Sequence, residues 1–154
     1  MIRCERIWDH RVVVQTISAL WDEISEDNAP PYVPDIVNEY YVAIIDEETY
    51  IGMYRLHQLN SVLWEGHAFI LTEHRDRAVD SGDAIKKWIV DNLEGAKKVI
   101  ANVPECFPNV IGFLKKMGFK EQGYNSDSYT KNGIVGLYQL GMKVEEMKCQ
   151  QQQQ

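Results

Sequence analysis

At 154 residues, 45% of them hydrophobic and 25% charged, the chain has the size and composition of one globular domain. A chain of this length buries roughly 70% of its unfolded surface, so neither a disulfide nor a structural metal is needed for folding. The formal charge of −7 argues against a broad nucleic-acid or anionic-membrane partner, because both demand basic surface.

Ile2 to Ile7 reads as a short first strand, and Asp9 or His10 as the cap of a helix. Val13, Ile17, Leu20, Trp21 and Ile24 fall at helical spacing, with an end expected near Glu26 to Asn28. NAPPYVPD is a loop without periodicity. Tyr40 to Ile45 is an apolar, β-branched strand; Asp46 to Thr49 supplies a turn, and Tyr50 to Leu59 resumes. Val62 to Leu71 alternates. Leu63, Glu65, His67, Phe69 and Leu71 share one face, and Trp64, Gly66, Ala68 and Ile70 the other.

The charged loop TEHRDRAVDSGD leads to a helix whose stripe is Ala84, Ile85, Trp88, Ile89 and Leu93, stopped by Gly95. Val99 to Val103 is a short strand. Pro108 suits the first turn of the next helix, which carries Val110, Phe113, Leu114 and Met117 and ends at Gly118. A hairpin closes the series, Glu121 to Thr130 and Ile134 to Met142, around Asn132-Gly133. That pair tolerates the positive φ of a type I′ turn. Residues 144–154 are polar and rich in glutamine and are expected to be a disordered tail outside the 1–143 domain.

Cys4, Cys106 and Cys149 are odd in number and without a Cys-x-x-Cys, the pattern of free thiols in a reducing compartment. The N-terminus MIRCERIWDH is too charged for a signal peptide. No apolar run approaches the roughly 18 residues of a membrane span. A soluble cytoplasmic protein is expected. Trp8, Trp21, Trp64 and Trp88 are expected to pack in the core.

The order β-α-β-β-β-α-β-α-β-β, the segment YYVAIIDEETYIGMYRL with Gly52 early in its second strand, and VIANVPECFPNVIGFLKKMGFKEQGY over Val99 to Tyr124 together resemble the GNAT superfamily of acyl-CoA-dependent N-acyltransferases. The resemblance spans about residues 1–143, apart from a second early helix that the proline loop replaces. It implies an α/β fold with a mixed, mostly antiparallel sheet flanked by helices. It also implies acetyl-CoA as cofactor, with the pyrophosphate held at a helix N-terminus by an Arg/Gln-x-x-Gly-x-Gly/Ala pattern. The matching residues are Arg75, Asp76, Arg77, Ala78, Val79 and Asp80. Arg75, Arg77 and Ala78 fit; Asp80 departs.

Asp80 and Ser81 are also good N-caps for the following helix and would take the donors a phosphate needs. A carboxylate about 6 Å from a phosphate, at an effective dielectric of about 20, repels it by roughly 3 kcal/mol. Binding would then weaken on the order of 100-fold. The family's thiolate-protonating Tyr falls at Leu114, which cannot donate, and the Asn that starts the family's helix has only Asn109, out of register. Tyr124, Tyr129 or Tyr138 would have to substitute. Glu65 or His67 could be the general base, or simply a carboxylate and imidazole that meet each other and solvent. Backbone N–H groups among Phe69, Ile70 and Leu71 would hold the carbonyl oxygen. His57 and His67 lack zinc-ligand spacing, so no metal is expected.

The segments HRDRAVDSGDAIKKWI and VIGFLKKMGF further resemble small GNAT-like proteins that tailed bacteriophages encode among virion genes. That resemblance implies a head-assembly or virion accessory in the host cytoplasm or in the virion, with other virion proteins as partners and no catalysis. The alternative is an active N-acetyltransferase of a small amine or a protein amino group.

Overall fold

Asp9 begins the first helix as expected: its carboxylate accepts the Arg11 N–H and opens α1 (His10–Ile24). The structure, a computed structural model, describes residues 1–153. Strand β1 (Ile2–Arg6) precedes α1, whose stripe of Val13, Ile17 and Leu20 is buried. Residues 25–39 contain no helix, because three prolines there withhold backbone donors. Strands β2 (Tyr40–Asp46), β3 (Thr49–Gln58) and β4 (Leu63–Ile70) then form an antiparallel meander. A short 3-10 helix, Thr72–Arg77, runs directly into α2 (Ala78–Asn92). Next come β5 (Lys98–Pro104), α3 (Pro108–Met117), β6 (Lys120–Thr130), β7 (Ile134–Lys143) and α4 (Val144–Gln152).

The seven strands make one sheet in the order β1-β2-β3-β4-β5-β7-β6. Every neighbouring pair is antiparallel except β4 with β5. This is the mixed, mostly antiparallel α/β sheet that the resemblance implies. One apolar cluster joins α2, α3 and α4 to one face of the sheet and includes Trp64, Ile70, Ile85, Ile89, Met117 and Met147. A second, around Val13, Ile17, Tyr41 and Met53, packs α1 on the opposite face and takes in Phe69. Successive β4 residues therefore serve opposite cores, as a strand's period of two requires.

Two glycines are placed by geometry. Gly118 ends α3 at φ +106, its N–H donating to the Leu114 and Lys115 carbonyls. Gly52 has φ +153, and a Cβ there would lie 2.4 Å from the Phe69 carbonyl oxygen of β4. At the hairpin tip Asn132 and Gly133 have φ 56 and 115, as Asn-Gly predicts.

Three expectations are corrected. The helix after the charged loop starts at Ala78, so Asp80 and Ser81 lie inside α2 and cap nothing; its first turn has no side-chain cap. The 3-10 turn has already curled the chain into register. The expected tail is folded as α4 through Gln152, and Gln154 lies outside the described residues. Although α4 is polar, Val144 and Met147 sit one turn apart and point inward. Gln150 Oε1 accepts from the buried Lys86 Nζ at 2.6 Å, while the Met117 carbonyl accepts from it at 2.9 Å. Trp8 is 68% exposed rather than in the core. It stacks on the Arg6 guanidinium, 4.1 Å from the ring centre, with Tyr40 4.0 Å from the same cation.

Candidate acyl-transfer site

β4 and β5 are paired only over Leu63–Lys98, Trp64–Val99 and Glu65–Ile100. Beyond that point both strands continue, β4 to Ile70 and β5 to Pro104, without pairing to each other. The parting opens a mostly apolar cavity of about 1180 Å³ between Gly66 to Ile70, Val99 to Pro104, the start of α2 and helix α3. That volume is somewhat above the roughly 300–1,000 Å³ of common small-molecule sites.

The start of α2 forms part of the wall through Ala78 and Val79. Arg75 lines the cavity too, its Nη2 donating to Glu23 Oε2 at 2.6 Å. Arg77 and Asp80 instead line a separate depression beside Met1, Asp83 and Lys87. Arg77 is bound to Asp46, and its Nε donates to Asp80 Oδ2 at 3.3 Å. Of the phosphate-loop residues predicted, Arg75 and Ala78 meet the cavity; Arg77 does not. The expected obstruction by Asp80 is absent for the same reason. Three residues per 3-10 turn and then 3.6 per α-turn carry Asp80 around to the far side.

The gap also leaves backbone donors unspent. Leu71 N–H donates to the Ile51 carbonyl at 3.0 Å, and Leu59 N–H to the Leu63 carbonyl at 2.9 Å. Hydrogen-bonding direction alternates along an antiparallel ladder, so Phe69 also turns its N–H toward β3. Ala68 and Ile70 turn theirs toward the parted β5. Of the three predicted oxyanion donors, Ile70 alone is free for that work. Phe69 and Leu71 are committed to the sheet.

Glu65 and His67 meet, with His67 Nε2 2.8 Å from Glu65 Oε1. Two further residues join them. His57, opposite Glu65 in the β3–β4 register, places Nε2 3.3 Å from the same oxygen. From β5, Asn102 Nδ2 donates to Glu65 Oε2 at 2.8 Å, and Gln139 Nε2 donates to Asn102 Oδ1 at 3.3 Å. The His67 hydrogen bond and then those of His57 and Asn102 hold the Glu65 carboxyl down to about 2, against the opposing effect of burial. A carboxylate so acidic is a poor proton acceptor. His67 and Asn102 line the cavity. Neutral His67 that donates from Nε2 keeps Nδ1 as an acceptor.

Sequence reasoning set His57 aside for want of zinc-ligand spacing and missed Asn102. Counting outward from the β3–β4 turn pairs His57 with Glu65, so the first was within reach. Asn102 lies across a parallel pairing that no local pattern reveals. Leu114, where an acid was sought, is a buried apolar wall residue. Among the three substitute tyrosines, Tyr129 lines the cavity, whereas Tyr124 is half-exposed and donates to Glu105. Burial raises the Tyr129 phenol, keeping it a proton donor at neutral pH.

The model of the family described as "Protein of unknown function (DUF2824)" matches residues 15–152. The chain belongs to that family. No curated protein matches this chain significantly. Solved structures do resemble its fold. A spermidine N-acetyltransferase SpeG from Vibrio cholerae, in complex with CoA and spermine, shares 16% identity at a TM-score of 0.73. That alignment covers 95% of this chain and 97% of the other. A chimera of Vibrio cholerae SpeG and hSSAT gives 17% identity and a TM-score of 0.75, covering 95% and 97%. This member of DUF2824 therefore has the GNAT fold. Among its described residues, no helix is long and apolar enough to cross a membrane.

Proposed function

We propose that the protein is an acetyl-CoA-dependent N-acetyltransferase acting on a cationic amine. The observation that carries this reading is the parting of β4 from β5 after Glu65–Ile100, beside the junction of the 3-10 turn with α2, where Asp80 faces away from the cavity. Acetyl-CoA, when bound, supplies the activated acyl group. Arg75 supplies a cation at the cavity wall for phosphate, beside the small residue Ala78, whose own N–H is already bonded to the Arg75 carbonyl.

The Ala68 and Ile70 N–H groups are donors of the kind that stabilise a developing oxyanion. His67 Nδ1 takes the proton released by the attacking amine. Glu65 keeps the imidazole oriented through its hydrogen bond to Nε2. Tyr129 is the phenol in the wall that can return a proton. Glu26 in the cavity lining, and Glu23 once Arg75 turns to a phosphate, favour a positively charged acceptor. Spermidine and spermine, named in the structural relatives, are the first amines to try.

A second reading keeps the fold without turnover: a binding protein, in the virion setting its partners other virion proteins. Leu114 in the acid position favours it, as does the engagement of Arg75 by Glu23.

Calorimetric titration with acetyl-CoA followed by an acetyl-transfer assay separates the readings. Micromolar binding, weakened by Arg75→Ala, with transfer to polyamine that falls at least about 100-fold in His67→Ala, supports the enzyme. Binding without turnover on any amine supports the second reading. Neither binding nor turnover sinks the first.

A further inference from the structure

We propose that His57, Glu65 and His67 form a binding site for a divalent transition-metal ion of the zinc or cobalt kind. The site shares Glu65 and His67 with the proposed acyl-transfer centre, and an ion on His67 Nε2 leaves the ring proton on Nδ1, so metal loading and general-base use of His67 exclude each other.

One ligand atom from each residue lies within 4.8 Å of the other two. Both imidazoles aim Nε2 at the same oxygen, Glu65 Oε1, at 2.8 Å from His67 and 3.3 Å from His57. The two rings are nearly parallel, with centres 6.2 Å apart and 11° between planes. Parallel planes share no point, so one ring must turn about its side-chain bonds before both in-plane Nε2 lone pairs meet a single ion. Ligand atoms around a tetrahedral zinc lie about 2.0–2.2 Å from the ion, so small side-chain rotations gather these three.

The placement comes from rigid elements rather than from a loop. His57 and Glu65 are directly paired across β3 and β4, and His67 follows two residues along the same face. No local sequence spacing betrays such a set, since the pairing of two strands brings it together. Asn102 holds the second carboxylate oxygen at 2.8 Å and is itself held by Gln139 at 3.3 Å. That outer layer fixes the carboxylate with Oε1 toward the imidazoles, the kind of support that tunes metal ligands.

The donor set decides the ion. Two imidazoles and one carboxylate suit zinc, cobalt or nickel, whereas magnesium and calcium require more oxygens than the site offers. The side chains are 23%, 17% and 31% exposed for His57, Glu65 and His67, so the group is sheltered but reachable. With three protein ligands a fourth position remains for water or another small ligand.

The test uses the full chain, stripped with a chelator and titrated near neutral pH with Zn²⁺ by calorimetry and with Co²⁺ by visible absorption. We expect one ion per chain with a Kd below about 10 μM, corresponding to about 7 kcal/mol. The intense visible bands of four-coordinate Co²⁺ should accompany it. His57→Ala should weaken the site on the order of 100-fold, and Asn102→Ala by about 10-fold through loss of carboxylate support. Glu65→Gln, nearly isosteric, provides a second ligand variant if the alanine protein folds poorly. Acetyl-CoA titration of the His57→Ala protein separates this proposal from the acyl-transfer reading, since His57 has no part in cofactor binding. Retention of the site when Cys4, Cys106 and Cys149 are all changed to Ser excludes thiol binding. Absence of binding up to millimolar ion overturns the proposal. So does affinity that is indifferent to His57 and Glu65 but lost with the cysteines.

Discussion

Single residues of the β3–β4 region act on stability through two different kinds of contact. Arg55 donates twice to Glu39, from Nε at 2.7 Å and Nη2 at 2.8 Å, in a half-buried fork. Tyr41 adds a third hydrogen bond at 3.0 Å, and Tyr32 and His57 also face the pair. Arg55 first, then its charge and the Tyr41 hydroxyl, hold the Glu39 carboxyl below its ordinary value of 4.5. A depressed carboxyl stabilises the fold fully above its unfolded value and loses that contribution as pH falls through its folded one. Glu39→Gln should therefore cost about 1–3 kcal/mol at neutral pH. Denaturant curves at stepwise lower pH should show the gap between the two proteins closing below the ordinary value. A gap constant with pH would mean that packing, not charge, sets the loss. Gly52 acts by shape. A methyl group there would meet the Phe69 carbonyl oxygen at 2.4 Å with φ at +153. Gly52→Ala should cost at least about 2 kcal/mol, measured as a lowered denaturation midpoint. It should also disturb β4, and with it the line of Ala68 and Ile70 donors.

At the scale of elements, the decisive one is α2. Asp80 looks inhibitory when its position is counted along the family pattern. The 3-10 turn from Thr72 to Arg77 rotates it to the side facing Arg77, away from the cavity that Ala78 reaches. Asp80→Asn should leave the acetyl-CoA dissociation constant within about twofold, whereas Ala78→Asp should weaken it on the order of 100-fold. The reverse ranking in calorimetry would return Asp80 to the phosphate site. Element identity was legible in the sequence wherever period and punctuation agreed. The α1 stripe, Pro108 and Gly118 around α3, and Asn132-Gly133 at the hairpin are all found where their chemistry points. What the sequence hid was rotational phase, since one 3-10 turn reassigns every side chain that follows it. It also hid α4, whose helical face rests on two apolar residues among glutamines. Met147 is fully buried there. Met147→Ala should cost about 2–5 kcal/mol and shift the thermal midpoint down. An exposed, frayed α4 would show almost no change.

Across the whole molecule, the sheet has one weak seam. β1 to β4 form a continuous antiparallel block, as do β5, β7 and β6, and the two blocks meet through three residue pairs between β4 and β5. The parallel seam joins strands whose side chains supply opposite halves of the candidate site: His67 and Glu65 from one block, Asn102 and Gln139 from the other. Composition and charge could bound the function, but they carry no information about where two paired strands separate. That point depends on how α2 and α3 pack, and it decides whether a cavity exists at all. The parting makes a prediction that needs no knowledge of the acceptor. Phe69 and Leu71 turn their N–H groups into the β3 ladder, whereas Ala68 and Ile70 face the gap. Amide hydrogen exchange read residue by residue should thus alternate along β4, fast at Ala68 and Ile70, slow at Phe69 and Leu71. Saturating acetyl-CoA, at about 100 times its dissociation constant, should stabilise the protein by about 2.7 kcal/mol. For a domain of this size that is a rise of roughly 5–10 °C in the thermal midpoint. The same addition should slow exchange at Ala68 and Ile70 selectively and leave Phe69 and Leu71 unchanged relative to the global stability. Uniform protection along β4 before any ligand is added would mean that the strands close in solution. The acyl-transfer reading would then lose the geometry on which it rests.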